Sequence, residues 1–157
     1  MNKNEFVEKV AEFKRVQAEY KSMMQENAKN IFSEMSKEVF ENNPNLQDFS
    51  WTQYTPYFND GDTCEFRVNK DYFYINRSNS DSDYIDIWYV TNPEYHDRID
   101  FKKFGFNNVE EVVKAVSEVK DILDMFDEDD YMEMFGDHAE VTVSRNDGVT
   151  VDGYDHD

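Results

Sequence analysis

The first 42 residues contain neither Gly nor Pro, and this uninterrupted run constrains the fold more than any other feature of the chain. Phe6, Val10, Phe13, Val16, Tyr20, Met24, Ile31, Met35 and Val39 recur at spacings near three and four, the period that gathers side chains on one face of an α-helix. The run predicts one long helix, or two in line. A strict heptad counted from Phe6 would place Gln17, Asn27, Glu34 and Glu38 in the seam. The apolar line therefore drifts as a straight helix's does, which favours packing on the chain's own sheet over a coiled coil. A helix of some forty residues is still about 60 Å long, more than a domain of this size needs. Its end is expected to project or to bind a second chain.

After Asn42-Asn43-Pro44 the character changes to Trp, Tyr, Phe, Thr and Val, punctuated at Asn59-Asp60-Gly61, Asn69-Lys70-Asp71 and the polar stretch 76–83. These signals predict a β-meander over residues 49–90. Cys64, Phe66 and Val68 alternate with Glu65 and Arg67, the pattern of a half-buried strand, and Tyr84 to Val90, the most apolar run, is expected to be central. Thr91 to Asn107, with Pro93, Gly105 and no clear period, reads as a loop with one short turn of helix.

Asn108 then offers an N-cap, Glu110 and Glu111 suit a first turn, and Val109, Val112, Val116, Val119, Leu123 and Phe126 form a new apolar stripe. A short helix is predicted from Glu128 to Phe135, ending at Gly136. Val141-Thr-Val143 and Val149-Thr-Val151 flank Asn146-Asp147-Gly148 as a β-hairpin, and the last residues, Tyr154 to Asp157, are expected to be loose. The predicted class is α+β: a long N-terminal helix, an antiparallel β-meander, a second, acidic helix pair and a C-terminal β-hairpin. No repeat or flexible linker divides residues 1–157, so a single domain is expected, with a helical arm (1–42) and an acidic body (43–157).

Aromatic residues at 16% argue for a packed core despite a charged fraction of 32%. One cysteine, Cys64, allows no internal disulfide, and the chain starts without an apolar leader-like stretch, so the cytoplasm is the expected compartment. No apolar run approaches the roughly 20 residues that span a bilayer.

Catalytic and metal-binding signatures are missing from the sequence. His96, His138 and His156 are far apart, without zinc-like spacing to a second His or a Cys. His96-Asp97 matches only two letters of a metal phosphohydrolase pattern. Asn79, Asp81 and Asp83 have the spacing that begins a calcium loop, but Tyr84 stands where Gly is needed and Val90 where the last ligand belongs. The five glycines stand singly, so no phosphate-cradling loop can be built. The expectation is a protein without cofactor or metal that is not an enzyme.

Charge is strongly segregated. The net charge is −19, yet residues 1–42 hold eight acidic and seven basic side chains, leaving 27 acidic and nine basic in the rest. Such a field repels nucleic acid and anionic membrane and attracts basic surfaces. The densest run is Asp121, Asp124, Asp127, Glu128, Asp129, Asp130 and Glu133, continued by Asp137, with only Lys120 as a basic neighbour. Helical carboxylates three or four apart lie about 5–6 Å from each other, a spacing comparable to phosphates along a nucleic-acid strand. These seven residues are the candidate partner-binding site, able to imitate DNA toward a basic cleft. The plainer alternative is a solvated corner between two helices.

The stretch Trp51-Thr-Gln-Tyr-Thr-Pro-Tyr-Phe-Asn-Asp-Gly-Asp62, and less closely Phe135-Gly-Asp-His138 with Tyr154-Asp-His-Asp157, resembles small accessory proteins of tailed bacteriophages. That resemblance implies no activity of its own. Combined with the charge, it suggests a partner among basic host proteins, such as a nuclease or another DNA-binding defence factor. The alternative is an assembly module that forms a homodimer, or docks, through residues 4–40.

Overall fold

The fold was read from a computed structural model that describes residues 1–58, 60–77 and 83–156. The calcium-like spacing lies largely outside these residues, as do Asn59 of one predicted turn and the terminal Asp157.

Helix α1 runs unbroken from Lys3 to Asn42, and the Asn2 side chain caps it by accepting from the Glu5 amide. Only its second half is docked: Met24, Ala28, Phe32, Ser36, Val39 and Phe40 are buried, whereas residues 3–23 are exposed apart from half-covered Val10. The expectation of packing on the chain's own sheet therefore holds for the second half alone.

The sheet is antiparallel, in the order β4 (Ile85–Asp86), β3 (Tyr72–Ile75), β1 (Asp48–Tyr54), β5 (Ala139–Ser144), β6 (Gly148–Gly153), with β2 (Arg67–Val68) also on β1. The central strand is β1, not the run from Tyr84 to Val90. That run divides into the edge strand β4 and the short helix α2 (Ile87–Thr91), started by the Asp86 side chain accepting from the Trp88 amide. Its continuous apolarity comes from burial of one helical face, a pattern that a short strand imitates. Val68 pairs with Gln53, and Ile75 with Phe49, so β2 and β3 lie in line along the same edge of β1. The predicted turn at Asn69-Lys70-Asp71 is the interruption between them, held by the Asn69 amide and side chain donating to Thr52. The alternation of Cys64 and Phe66 with Val68 yields strand only at Arg67–Val68.

A 3₁₀ turn (Pro93–Arg98) follows α2. Helices α3 (Val109–Leu123) and α4 (Glu128–Phe135) then form as the sequence indicates, capped by Asn108 and by Asp127. All pack with α1 on one face of the sheet, giving two layers. Phe32, fully buried, touches the rings of Trp51, Phe126, Tyr131 and Phe135. Arg145, beyond β5, donates to the carbonyl oxygens of Phe40, Asn43 and Leu46, tying the end of α1 to the hairpin.

Candidate functional site

The first half of α1 has the sequence of a helix with one face to bury and, among the described residues, nothing to bury it against. Phe6 is 59% exposed, Phe13 63% and Tyr20 48%, with Val7, Val16 and Met23 about half exposed. Phe6, Val10, Phe13, Gln17, Tyr20 and Met24 fall on one stripe by helical geometry. The same geometry puts Lys9 on one flank of it, Lys3, Lys14 and Lys21 on the other, and Glu5, Glu8, Glu12 and Glu19 on the far side. There Arg15 bridges Glu12 and Glu19. The arm meets the body at its base, where the Tyr20 hydroxyl donates to Asp130 (3.0 Å) and Lys21 lies 3.7 Å from Glu133. That hydrogen bond, reinforced by the charge of the Asp130 carboxylate, raises the pKa of Tyr20.

Beyond its base the stripe continues onto the outer side of the docked half. Met23, Met24, Asn27, Ile31, Glu34 and Met35 line a shallow apolar groove, and Met35 is shared with a second hollow walled by Glu38, Glu118, Asp121, Ile122 and Met125. Met125 is 61% exposed. The surface is thus methionine-lined and acid-rimmed. The sequence places Met24, Ile31 and Met35 on a stripe expected to pack on the chain's own sheet; their spacing gave the correct helix but could not say which face lacked a cover.

The seven carboxylates of the acidic run lie on α3, on α4 and at the corner between them, and they do not share one role. Asp121, Asp124, Asp127, Glu128 and Asp129 are exposed, whereas Asp130 and Glu133 are half-buried against α1. Asp127 and Asp130 form a reciprocal capping box at the start of α4, each accepting the other's backbone amide. Asp124 pairs with Lys120, which also reaches Asp71. Partial burial, the largest influence on Lys120, pulls its pKa down, but the bonds to Asp71 and Asp124 together carry it above the ordinary lysine value. Lys70 also lies near this corner, donating to the Phe126 carbonyl. Much of the run's acidity therefore serves helix starts and local pairs, leaving Asp121, Glu128 and Asp129 as its freest members.

The two segments carrying the bacteriophage resemblance meet in space. The Trp51 indole donates to Gln53 Oε1, and Gln53 Nε2 donates to the carbonyls of Tyr131 and Gly136. The Thr55 amide and hydroxyl donate to Asp137. Tyr54 and Tyr57 stack on His156, at 4.0 and 4.3 Å between ring centres, and His138 Nδ1 lies 2.6 Å from His156 Nε2. The tail residues Tyr154 to His156, expected to be loose, are held by these rings and by the Tyr154 amide donating to the His138 carbonyl. The reason is aromatic stacking, which turn signals do not reveal.

Partial burial raises the Asp137 pKa, but the bonds from Thr55 and the His138 amide, with the His138 ring, outweigh it and leave the pKa lowered. A depressed carboxyl contributes stability that is present above its unfolded pKa and is lost as pH falls through the folded one. Asp137→Asn should therefore lower stability at neutral pH and flatten the acid limb of a urea-midpoint profile between about pH 5 and 2. A variant limb as steep as the wild type's would exclude this role.

The exposed sheet face carries Tyr72, Tyr74, Tyr84 and Tyr154, with the Arg77 guanidinium over the Tyr74 ring and paired with Glu140. Burial raises the pKa of Tyr72 and of Tyr154. No three His, Cys, Asp or Glu side chains among the described residues are grouped to hold a metal ion. Among those residues no helix is long and apolar enough to cross a membrane. His96 is occupied with the Val90 carbonyl.

Fold and surface together define a two-layer α+β protein with an undocked amphipathic helical arm. No protein-family model, curated protein or solved structure matches the chain.

Proposed function

We propose that the protein is a non-enzymatic docking or assembly module that works through the exposed half of α1. The observation that carries this reading is the uncovered stripe of Phe6, Val10, Phe13 and Tyr20 on a projecting helix. In proteins most helical stability comes from packing an amphipathic face, so the arm acquires its full order from whatever covers it. Phe6→Glu with Phe13→Glu alters only exposed positions. The pair should leave the body's melting temperature unchanged while abolishing capture of the partner from host lysate; undiminished capture would remove the arm from the function.

A second reading is favoured by a separate observation: Asp124, Asp127, Glu128 and Asp129 are exposed at the junction of α3 and α4, with Asp121 exposed a turn earlier on α3. In it the corner occupies the basic cleft of a host nuclease or another DNA-binding defence protein, as a DNA-mimic-like inhibitor in the bacteriophage setting that the resemblance suggests. Its test uses Glu128→Lys and Asp129→Lys, because reversing Asp127 or Asp130 would also break the capping box and Asp121 walls the hollow beside the methionine-lined groove. The mimic predicts that this variant loses its target; arm docking predicts no loss.

A further inference from the structure

We propose that the occupant of the arm is a second copy of this chain, packed antiparallel and reciprocally: each copy's arm lies on the methionine-lined outer side of the other's α1. This inference rests on the docking reading above and names its partner.

Three observations support it. The arm's stripe runs without a break into the groove made by Met23, Ile31 and Met35 on the docked half of the same helix. A two-fold axis near their junction lets each stripe cover the other's groove and closes the assembly.

The charges also match in only one direction. Lys3, Lys9, Lys14 and Lys21 flank the arm's stripe, and Glu34, Glu38, Glu118 and Asp121 stand in and around the groove. Antiparallel packing brings the end of the arm bearing Lys3 and Lys9 to the end of the groove bearing Glu34 and Glu38. Parallel packing would set lysine against lysine and bring two strongly acidic bodies side by side. Residues 3–23 carry four acidic and five basic side chains, leaving 31 acidic and 11 basic elsewhere. Antiparallel arms set the centres of those bodies about 30 Å apart along the helix, where parallel arms would set them side by side.

Area is sufficient as well. Phe6, Phe13 and Tyr20 each leave about half their surface or more uncovered, roughly 100 Å² apiece. With the valines and methionines of two arms and two grooves, the pair buries on the order of 1,200 Å² or more, the range of stable interfaces.

The test is native mass by light scattering on the full chain. Wild type should run at twice 18.8 kDa, and Phe13→Glu at the single mass with its body still folded. The loss counts twice by symmetry, so association should weaken roughly a hundredfold. Glu34→Lys with Glu38→Lys should run as a monomer, as should Lys9→Glu with Lys14→Glu, and mixing these two variants should restore the double mass. A wild-type dimer indifferent to Glu34→Lys and Glu38→Lys overturns the arm-to-groove arrangement. A wild-type monomer whose capture of a host protein is lost on Phe6→Glu and Phe13→Glu overturns the second copy as occupant and leaves the docking reading intact. A monomer whose capture is unaffected ends both.

Discussion

Phe32→Ala is expected to lower the free energy of unfolding by about 3–5 kcal/mol, the cost of removing a large buried ring whose neighbours cannot collapse into its place. Phe32 is fully buried and sits where α1, α4 and β1 converge, in contact with Trp51, Phe126, Tyr131 and Phe135. These rings come from different segments of the chain, so relaxation toward the cavity is restrained from several sides. For a chain of this length the loss corresponds to a fall in melting temperature of roughly 10 °C or more. The urea midpoint should drop with little change in slope, and a drop below about 1 kcal/mol would show that the core is not organised around this ring.

The second large effect is expected at Gln53, a fully buried polar side chain near the end of the central strand. Gln53→Leu keeps the volume but takes the acceptor from the Trp51 indole and a donor from the carbonyls of Tyr131 and Gly136. Groups stranded inside a protein cost about 1–3 kcal/mol each, so the substitution should destabilise by about 3–5 kcal/mol in total. Because Gln53 joins β1 to the end of α4, near-ultraviolet circular dichroism of the Trp51 environment should change even under conditions where the variant stays folded. A variant as stable as wild type would mean that these bonds merely replace ones water can make.

This pair of residues illustrates what the sequence could reveal. Trp51 and Gln53, two apart in the run from Phe49 to Tyr54, stand out as a motif, and their shared direction on a strand is legible from period two. Their partners at Tyr131 and Gly136 are some eighty residues away, and nothing local announces them. The helices were legible for the opposite reason, since Asn2, Asn108 and Asp127 cap their starts, and Gly136, at φ 84°, ends α4. The hairpin of β5 and β6 was legible from alternating valines flanking Asn146-Asp147-Gly148. The order of the sheet was not, because β1 takes β2 and β3, which follow it closely, on one side and the distant β5 on the other.

For the surfaces, charge segregation was readable by counting, but its meaning depended on distances. Asp130 looked like part of a free anionic row and proves to be half-buried, capping α4 and accepting from Tyr20. Phe6 and Phe13 looked like core and prove to be uncovered. Periodicity specifies which side chains share a face; only the packed fold decides whether that face has already found its cover. The tyrosines of the open sheet face follow the same rule, since alternation of Tyr72 and Tyr74 with Phe73 and Ile75 separates two faces without ranking them.

Amide hydrogen exchange along α1 tests most directly the claim that the arm is completed by an intermolecular partner. Amides from Met24 to Phe40 should be protected at every protein concentration, because they belong to the packed half. Amides from Val10 to Tyr20 should exchange rapidly in dilute solution and slow markedly as the concentration rises and the second copy covers them. Arm amides as protected in dilute solution as those of the core, or unprotected at all concentrations, would contradict the account.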